Sequence, residues 1–260
     1  MALNLPDRQR LIELYERRFR DDERVRALWL EGADGLGMAD AYSDVDLWLD
    51  AADEAAPAVL EDAIALARRI GPLDVLEEIP HQDGKILQAN LHIAGMSPYL
   101  TVDLCVQRHS RVAEGCCIYR SGDIAELPKV LLDKDGIIAL RTPEPLERPL
   151  LLRQRASVAE IFAQRGRVTK YMARNRYLEA LAHYEEYVLN PLVTLARLIH
   201  TPYHPNYGWT HISRHLPGEL VGKLERLRCH RSLDDLPCLL EEADALYKEL
   251  NDAFECRYGG

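Results

Sequence analysis

Residues 27–50 read ALWLEGADGLGMADAYSDVDLWLD, and the change of rhythm inside this stretch decides the fold. An apolar run from Val25 to Leu30 stops at Gly32, with further glycines at Gly35 and Gly37. After Tyr42 and Ser43 a second apolar run begins, carrying Asp44 and Asp46. As a strand over 43–49 it places Asp44, Asp46 and Trp48 on one face and Val45, Leu47 and Leu49 on the other. Two carboxylates side by side on a strand repel each other, so a metal ion is their natural partner.

Upstream, Leu11, Ile12, Tyr15 and Phe19 stand at helical spacing after the start signal Pro6-Asp7, predicting a helix over 7–21 and a first strand over 25–31. Downstream, Leu60, Ala63, Ile64 and Ala67 line one face of a helix over 57–70 that ends at Gly71-Pro72. Strands are expected at 73–79, 85–93 and 98–106. In the last, Leu100, Val102, Leu104 and Val106 alternate with Tyr99, Thr101, Asp103 and Cys105, so Asp103 supplies a third carboxylate opposite the apolar set. Gln88, Asn90 and His92 share a strand face that either borders a cleft or meets water. A short strand from Val130 runs into an Asp-Gly turn headed by Asp133.

Pro143, Pro145 and Pro149 then punctuate the chain, and the period becomes helical over 150–173, 175–200, 217–229 and 233–256. The expected domains are therefore 1–145 and 146–260. At 260 residues there is ample chain for a core. No apolar run approaches the ~20 residues needed to span a membrane, and the MALNLPDRQR start has no signal-peptide core, so the expectation is a cytoplasmic protein. Six cysteines without a C-x-x-C pair point to reduced thiols. His211 and His215 have the spacing of a zinc pair, but with no Cys or acidic partner nearby in sequence the favoured reading is ordinary helix histidines.

The net charge of -10 is uneven: residues 1–149 carry 28 acids against 17 basic groups, and residues 150–260 carry 14 against 15. That balance argues against nucleic acid as the principal partner and is compatible with a small cationic one. A basic run from Arg153 to Arg176 contains a single acid, Glu160. It is either a solvated helix face or a set of groups that closes over phosphates. Glu185 falls in the stripe formed by Leu178, Leu181, Val188, Leu192, Leu195 and Ile199. A carboxylate there needs an arginine partner, a stripe that ends at the surface, or a function.

Gly32-Ala33, then Asp44-Val45-Asp46, then Asp103 resembles the signature of the DNA polymerase beta-like nucleotidyltransferase superfamily, whose fuller string is G-S-x-A-R-G-x-A-D-x-Y-S-D-I-D-L. The likeness covers about 75 residues from Gly32 to Asp103. Phe162, Lys170 and the segment PLVTLARLIHTPYHPNYGWTHISRHLP at 191–217 are similar to the small-molecule branch, the aminoglycoside and lincosamide nucleotidyltransferases. The resemblance implies an α+β fold, with a polymerase-beta-like mixed sheet and helices followed by a C-terminal helical bundle that binds the acceptor, and a cleft between the two.

It further implies transfer of a nucleoside monophosphate, AMP by default, from a nucleoside triphosphate such as ATP to a hydroxyl of a small, cationic molecule. Two Mg2+ ions would be held by Asp44, Asp46 and Asp103, since this chemistry needs about three carboxylates at fixed separations. Gly32 and its neighbour Ala33 would admit backbone N–H groups to the phosphates, with Ser43 and Lys170 as further nucleotide contacts and Glu185 as general base on the acceptor. Gly35 and Gly37 are expected as turn residues, and Asp40 as a cap. The protein would act as a monomer or homodimer, without a membrane partner. Ala33 replaces the family serine and Leu36 the common arginine. Two other functions remain open: transfer to a protein or RNA and, on account of Ala33 and Leu36, nucleotide binding without catalysis.

Overall fold

The computed structural model describes residues 6–259. The expectation about a signal segment falls partly on residues 1–5, which lie outside the described residues. Two compact units divide the chain, Met1–Pro143 and Glu144–Gly260.

The first unit begins with α1 (Arg8–Phe19), where the Asp7 carboxylate caps the first turn by accepting from the Arg10 amide, 2.8 Å away. Then come β1 (Val25–Leu30), one helical turn α2 (Gly32–Gly35), β2 (Val45–Ala51), α3 (Ala56–Ile70), β3 (Leu73–Ile79), β4 (Ile86–Ile93) and β5 (Thr101–Arg108). A 3-10 segment (His109–Glu114) leads to β6 (Ile118–Arg120), β7 (Lys129–Asp133) and β8 (Ala139–Arg141). The main sheet runs β3-β4-β5-β2-β1-β7, and β6 pairs with β8 separately. All neighbours in the main sheet are antiparallel except β2 and β5, which are parallel. The chain reaches that pairing by crossing through α3, β3 and β4. The sheet is therefore mixed, and the α+β class is as expected.

One face of the sheet packs on α1 and α3. Val45, Leu47 and Leu49 are fully buried there with Leu11, Tyr15, Phe19, Val59 and Ala63, and each buried leucine contributes about 1.5–3 kcal/mol of apolar transfer. The opposite face carries the polar positions of β2, β4 and β5. Asp133 heads its turn as expected, accepting from the amides of Ile137 and Ile138, each at 3.0 Å.

The second unit is helical, with α4 (Arg148–Phe162), α5 (Gly166–Met172), α6 (Tyr177–Tyr184), α7 (Asn190–His200), α8 (Ile212–His215), α9 (Gly218–Leu227) and α10 (Leu236–Tyr258). Its core gathers Phe162, Tyr184, Leu192, Leu195, Leu239, Leu246 and Phe254. The single helix expected over 175–200 is instead α6 and α7 joined by a π-turn at Glu185–Leu189. Pro191 supplies the reason: it has no N–H and crowds the carbonyl four residues back, at Tyr187, so the helix widens just before it. The extra residue turns the face by about 100°. Leu178, expected in the buried stripe, is consequently 76% exposed, whereas Leu192, Leu195 and Ile199 are buried. None of the described helices is long and apolar enough to cross a membrane.

Candidate functional site

The site begins where β1 ends. The Glu31 amide donates to the Asp46 carbonyl at 3.0 Å, locking the strand end beside β2. Gly32 follows with φ +54°, and a Cβ there would lie 1.9 Å from Asp46 Oδ2. Only glycine fits, because the backbone is left-handed and its missing side chain is the space the Asp46 carboxylate occupies. Gly35 is needed for another reason, its Cβ position falling 1.6 Å from the Leu127 carbonyl oxygen. Gly37, at φ +68° with open space around it, is a turn residue.

The glycine turn is tied down by a residue outside the motif. Arg8 of α1 forms an ion pair with buried Asp34 and donates to the Asp44 carbonyl at 2.6 Å and the Ser43 carbonyl at 3.2 Å. Lys129 approaches Asp34 at 3.5 Å from the other side. Asp40 braces the next bend rather than capping a helix. Its Oδ1 accepts from the Tyr42 amide at 2.9 Å and the Ser43 hydroxyl at 3.0 Å, while Ser43 Oγ accepts from the Asp40 amide at 2.9 Å. The Tyr42 amide is the largest of the influences that lower the Asp40 carboxyl. The Ser43 hydroxyl is thus engaged within the loop.

β2 starts at Val45, so Asp44 stands one residue before the strand and is exposed. Asp46 and Asp103 are direct partners in the parallel register of β2 and β5, which brings residues 57 positions apart onto one patch. Burial pushes the Asp46 carboxyl up to about 7, helped by the charges of Asp44, Asp103, Glu31 and Asp34. A carboxylate so placed gains from any cation that joins it.

Two neighbours complete the patch. Glu31 Oε1 accepts from the Trp29 indole at 3.1 Å and the Tyr119 hydroxyl at 2.5 Å, and burial with the Glu31 charge raises the Tyr119 hydroxyl. Gln88 Nε2 donates to both oxygens of Asp103, at 2.6 and 2.8 Å, and its own Oε1 is 2.6 Å from His81 Nε2. Of the other two positions on that face of β4, His92 bonds to Asp74 Oδ1 at 2.6 Å and to the Ser97 carbonyl at 2.9 Å. Asn90 is the register partner of Asp103.

The donors suit a hard divalent cation in kind, being carboxylate oxygens beside a glycine cradle. Among the described residues, however, no three His, Cys, Asp or Glu side chains are arranged to hold an ion. Each oxygen of Asp103 accepts one hydrogen bond from the Gln88 amide and keeps a further lone pair for an ion.

Sequence reasoning missed Arg8 and Glu31, and left Gln88 open as a residue that either borders a cleft or meets water. Glu31 adjoins the glycine motif and was the legible one, whereas Arg8 and Gln88 reach their partners only through tertiary pairing. Further along the same face, Trp48 stacks on Trp29 with centroids 5.8 Å apart, Arg111 lies 5.7 Å over the Trp48 ring, and fully buried Asp50 bonds to Gln107 and His109, each at 2.7 Å.

Lys170 and Glu185 belong to the second unit. Lys170 is exposed on α5, with its ammonium 5.9 Å from the Tyr171 ring. Glu185 is half-exposed at the start of the π-turn and pairs with Arg228 at 3.0 Å, the arginine partner that its alternative reading called for. His211 and His215 meet edge to face at 5.7 Å. Burial, then Arg197 and Arg214, pushes the His215 imidazole down to about 4. All six cysteines are free thiols.

The sequence matches no family model and no curated protein. Among solved structures, the chain is similar to an aminoglycoside 6-adenyltransferase from Bacillus subtilis, at 17% identity and TM-score 0.41, over 96% of this chain and 91% of that one. It is also similar to a nucleotidyltransferase-like protein from Exiguobacterium sibiricum, at 12% identity and TM-score 0.36, over 96% of this chain and 76% of that one. At these values neither likeness bears on what the chain does. The functional reading rests on the carboxylate patch.

Proposed function

We propose that this chain is a nucleotidyltransferase that moves a nucleoside monophosphate, AMP by default, from a nucleoside triphosphate to a hydroxyl of a small, cationic acceptor such as an aminoglycoside or lincosamide. One observation carries the reading: Asp46 faces Asp103 in register, with Asp44 beside them and Gly32 leaving space that only the Asp46 carboxylate fills. A purely structural strand would not gather Asp44 and Asp103 where their charges raise the proton affinity of Asp46.

In the transfer, the acceptor oxygen bonds to the α phosphorus, the bond to the β-phosphate oxygen breaks, pyrophosphate leaves and the hydroxyl proton goes to a base. Asp44, Asp46 and Asp103 would hold Mg2+, which supplies Lewis-acid stabilisation of the phosphoryl and attacking oxygens. The amides of Gly32 and Ala33 open a helical turn, so they have no helical acceptor and are available to phosphate oxygens. Arg8 holds the Ser43-Asp44 backbone in place. Glu185 is the general-base candidate and Lys170 the phosphate-binding candidate of the helical unit. The acidic first half of the chain favours a cationic acceptor.

A second reading, nucleotide binding without transfer, is suggested by Ala33 in place of the family serine and Leu36 in place of the common arginine. The two are separated by incubating the chain with ATP, CTP, GTP and UTP against aminoglycosides, lincosamides and cell extract while following pyrophosphate release. Release with some acceptor, lost in Asp46→Asn, supports transfer. Binding of Mg-ATP with no release under any condition supports the second reading.

A further inference from the structure

Tyr42 stands four residues before Asp46, and Tyr99 four residues before Asp103. Because Asp46 and Asp103 are register partners on parallel strands, the two tyrosines arrive together at the same end of the patch. Their rings meet edge to face at 5.1 Å, yet Tyr42 remains 70% and Tyr99 54% exposed. The turn beneath Tyr42 is pinned by Asp40, and the Tyr99 amide bonds to Ser97 Oγ at 3.4 Å. Two large rings held in water beside a reactive patch are a surface waiting for a flat partner.

The direction of the reaction says which partner. On the reading above, the Gly32 and Ala33 amides at the end of β1 would take phosphate oxygens, and Asp103 lies on the other side of β2. In the sheet β1, β2 and β5 are consecutive, so the axis from those amides to Asp103 crosses the strands. A nucleoside running along the strands from that axis would meet one of two aromatic groups. Trp48 is half-buried, stacked on Trp29 and with Arg111 over its ring, so it is already engaged. The tyrosine pair stands exposed.

We propose that Tyr42 and Tyr99 form the stacking platform for the nucleobase of the donor. The inference rests on the transferase reading. Stacking uses the face common to all bases and reads no hydrogen-bond pattern, so ATP, GTP, CTP and UTP should bind within about tenfold of one another.

The test compares ATP with inorganic tripolyphosphate, which has the phosphates and no base, by calorimetry in Mn2+. The wild type, Tyr42→Ala/Tyr99→Ala and Tyr42→Phe/Tyr99→Phe are measured after circular dichroism confirms their fold. The alanine pair should weaken ATP about ten- to hundredfold and leave tripolyphosphate within about twofold, while the phenylalanine pair keeps wild-type affinity for both. Equal loss for both probes, or ATP binding unchanged by alanine, overturns the platform alone. If the wild type binds neither probe with a divalent cation, the transferase reading falls and the platform with it.

Discussion

Replacing Asp46 by asparagine should stabilise the metal-free protein at alkaline pH while abolishing divalent-cation binding. Burial, then the charges of Asp44, Asp103, Glu31 and Asp34, carries this carboxyl from its ordinary 3.8 to about 7. The folded chain therefore holds a proton there more tightly than the unfolded chain. Stability from that proton is complete below about 3.8 and is lost as pH rises through about 7. At about 1.4 kcal/mol per tenfold change in proton affinity, the whole displacement is worth ~4 kcal/mol. Asp46 is only partly buried, so screening by water reduces this to about 2 kcal/mol. Asparagine keeps the shape beside Gly32 and has no charge to desolvate. Urea unfolding in EDTA, followed by tryptophan fluorescence, measures the difference. In a Trp209→Phe background the signal comes from Trp29 and Trp48, which both lie in the first unit. The variant and its parent should nearly coincide at about pH 4.5, and the variant should be about 2 kcal/mol more stable at about pH 8.5. A gap independent of pH, or no gap at the higher pH, would refute the reasoning.

Gly32→Ala should cost about 2–3 kcal/mol of stability, roughly 1–2 from the left-handed backbone and the rest from displacing the Asp46 carboxylate, read by the same urea titration. It should also weaken Mn2+ binding at least about tenfold, and retained binding would show that the carboxylate can move away freely. Among the described residues, Arg8→Ala leaves Asp34, whose side chain is 4% exposed, with Lys129 at 3.5 Å as its remaining ion-pair partner. A loss of about 3 kcal/mol is expected, and a loss under about 1 would mean that water reaches Asp34. Ala33→Ser adds a hydroxyl donor next to Gly32 and should tighten nucleotide binding by about ten- to hundredfold in calorimetry, from about 1.5–3 kcal/mol. Unchanged or weaker affinity would place the phosphates elsewhere.

The strand alternation was readable because burial imposes a period of two: Val45, Leu47 and Leu49 on β2 and Val102, Leu104 and Val106 on β5 all reach the core. Asp46 and Asp103 could be placed opposite those sets from the sequence. Their pairing could not, because it depends on β2 and β5 becoming neighbours across α3, β3 and β4. The same limit hid the partner of Gln88, one strand away, and hid Arg8, which reaches the site from a helix 26 residues before Asp34. In the helical unit the period of 3.6 was sound within each helix and failed across the π-turn. A stripe read straight through 178–199 therefore assigned Leu178 to the wrong side.

The mutual fit of Gly32 and Asp46 also bears on how such a sequence can drift. Because the space beside Gly32 is filled by the Asp46 side chain, Gly32 cannot change while that carboxylate keeps its place. A lineage that abandoned the chemistry would first shed Asp46, gaining stability in the metal-free state, and only then be free to exchange Gly32. The two positions should consequently vary as a pair among descendants, with the aspartate the first to go and the glycine surviving for a time as a relic of the site it once served.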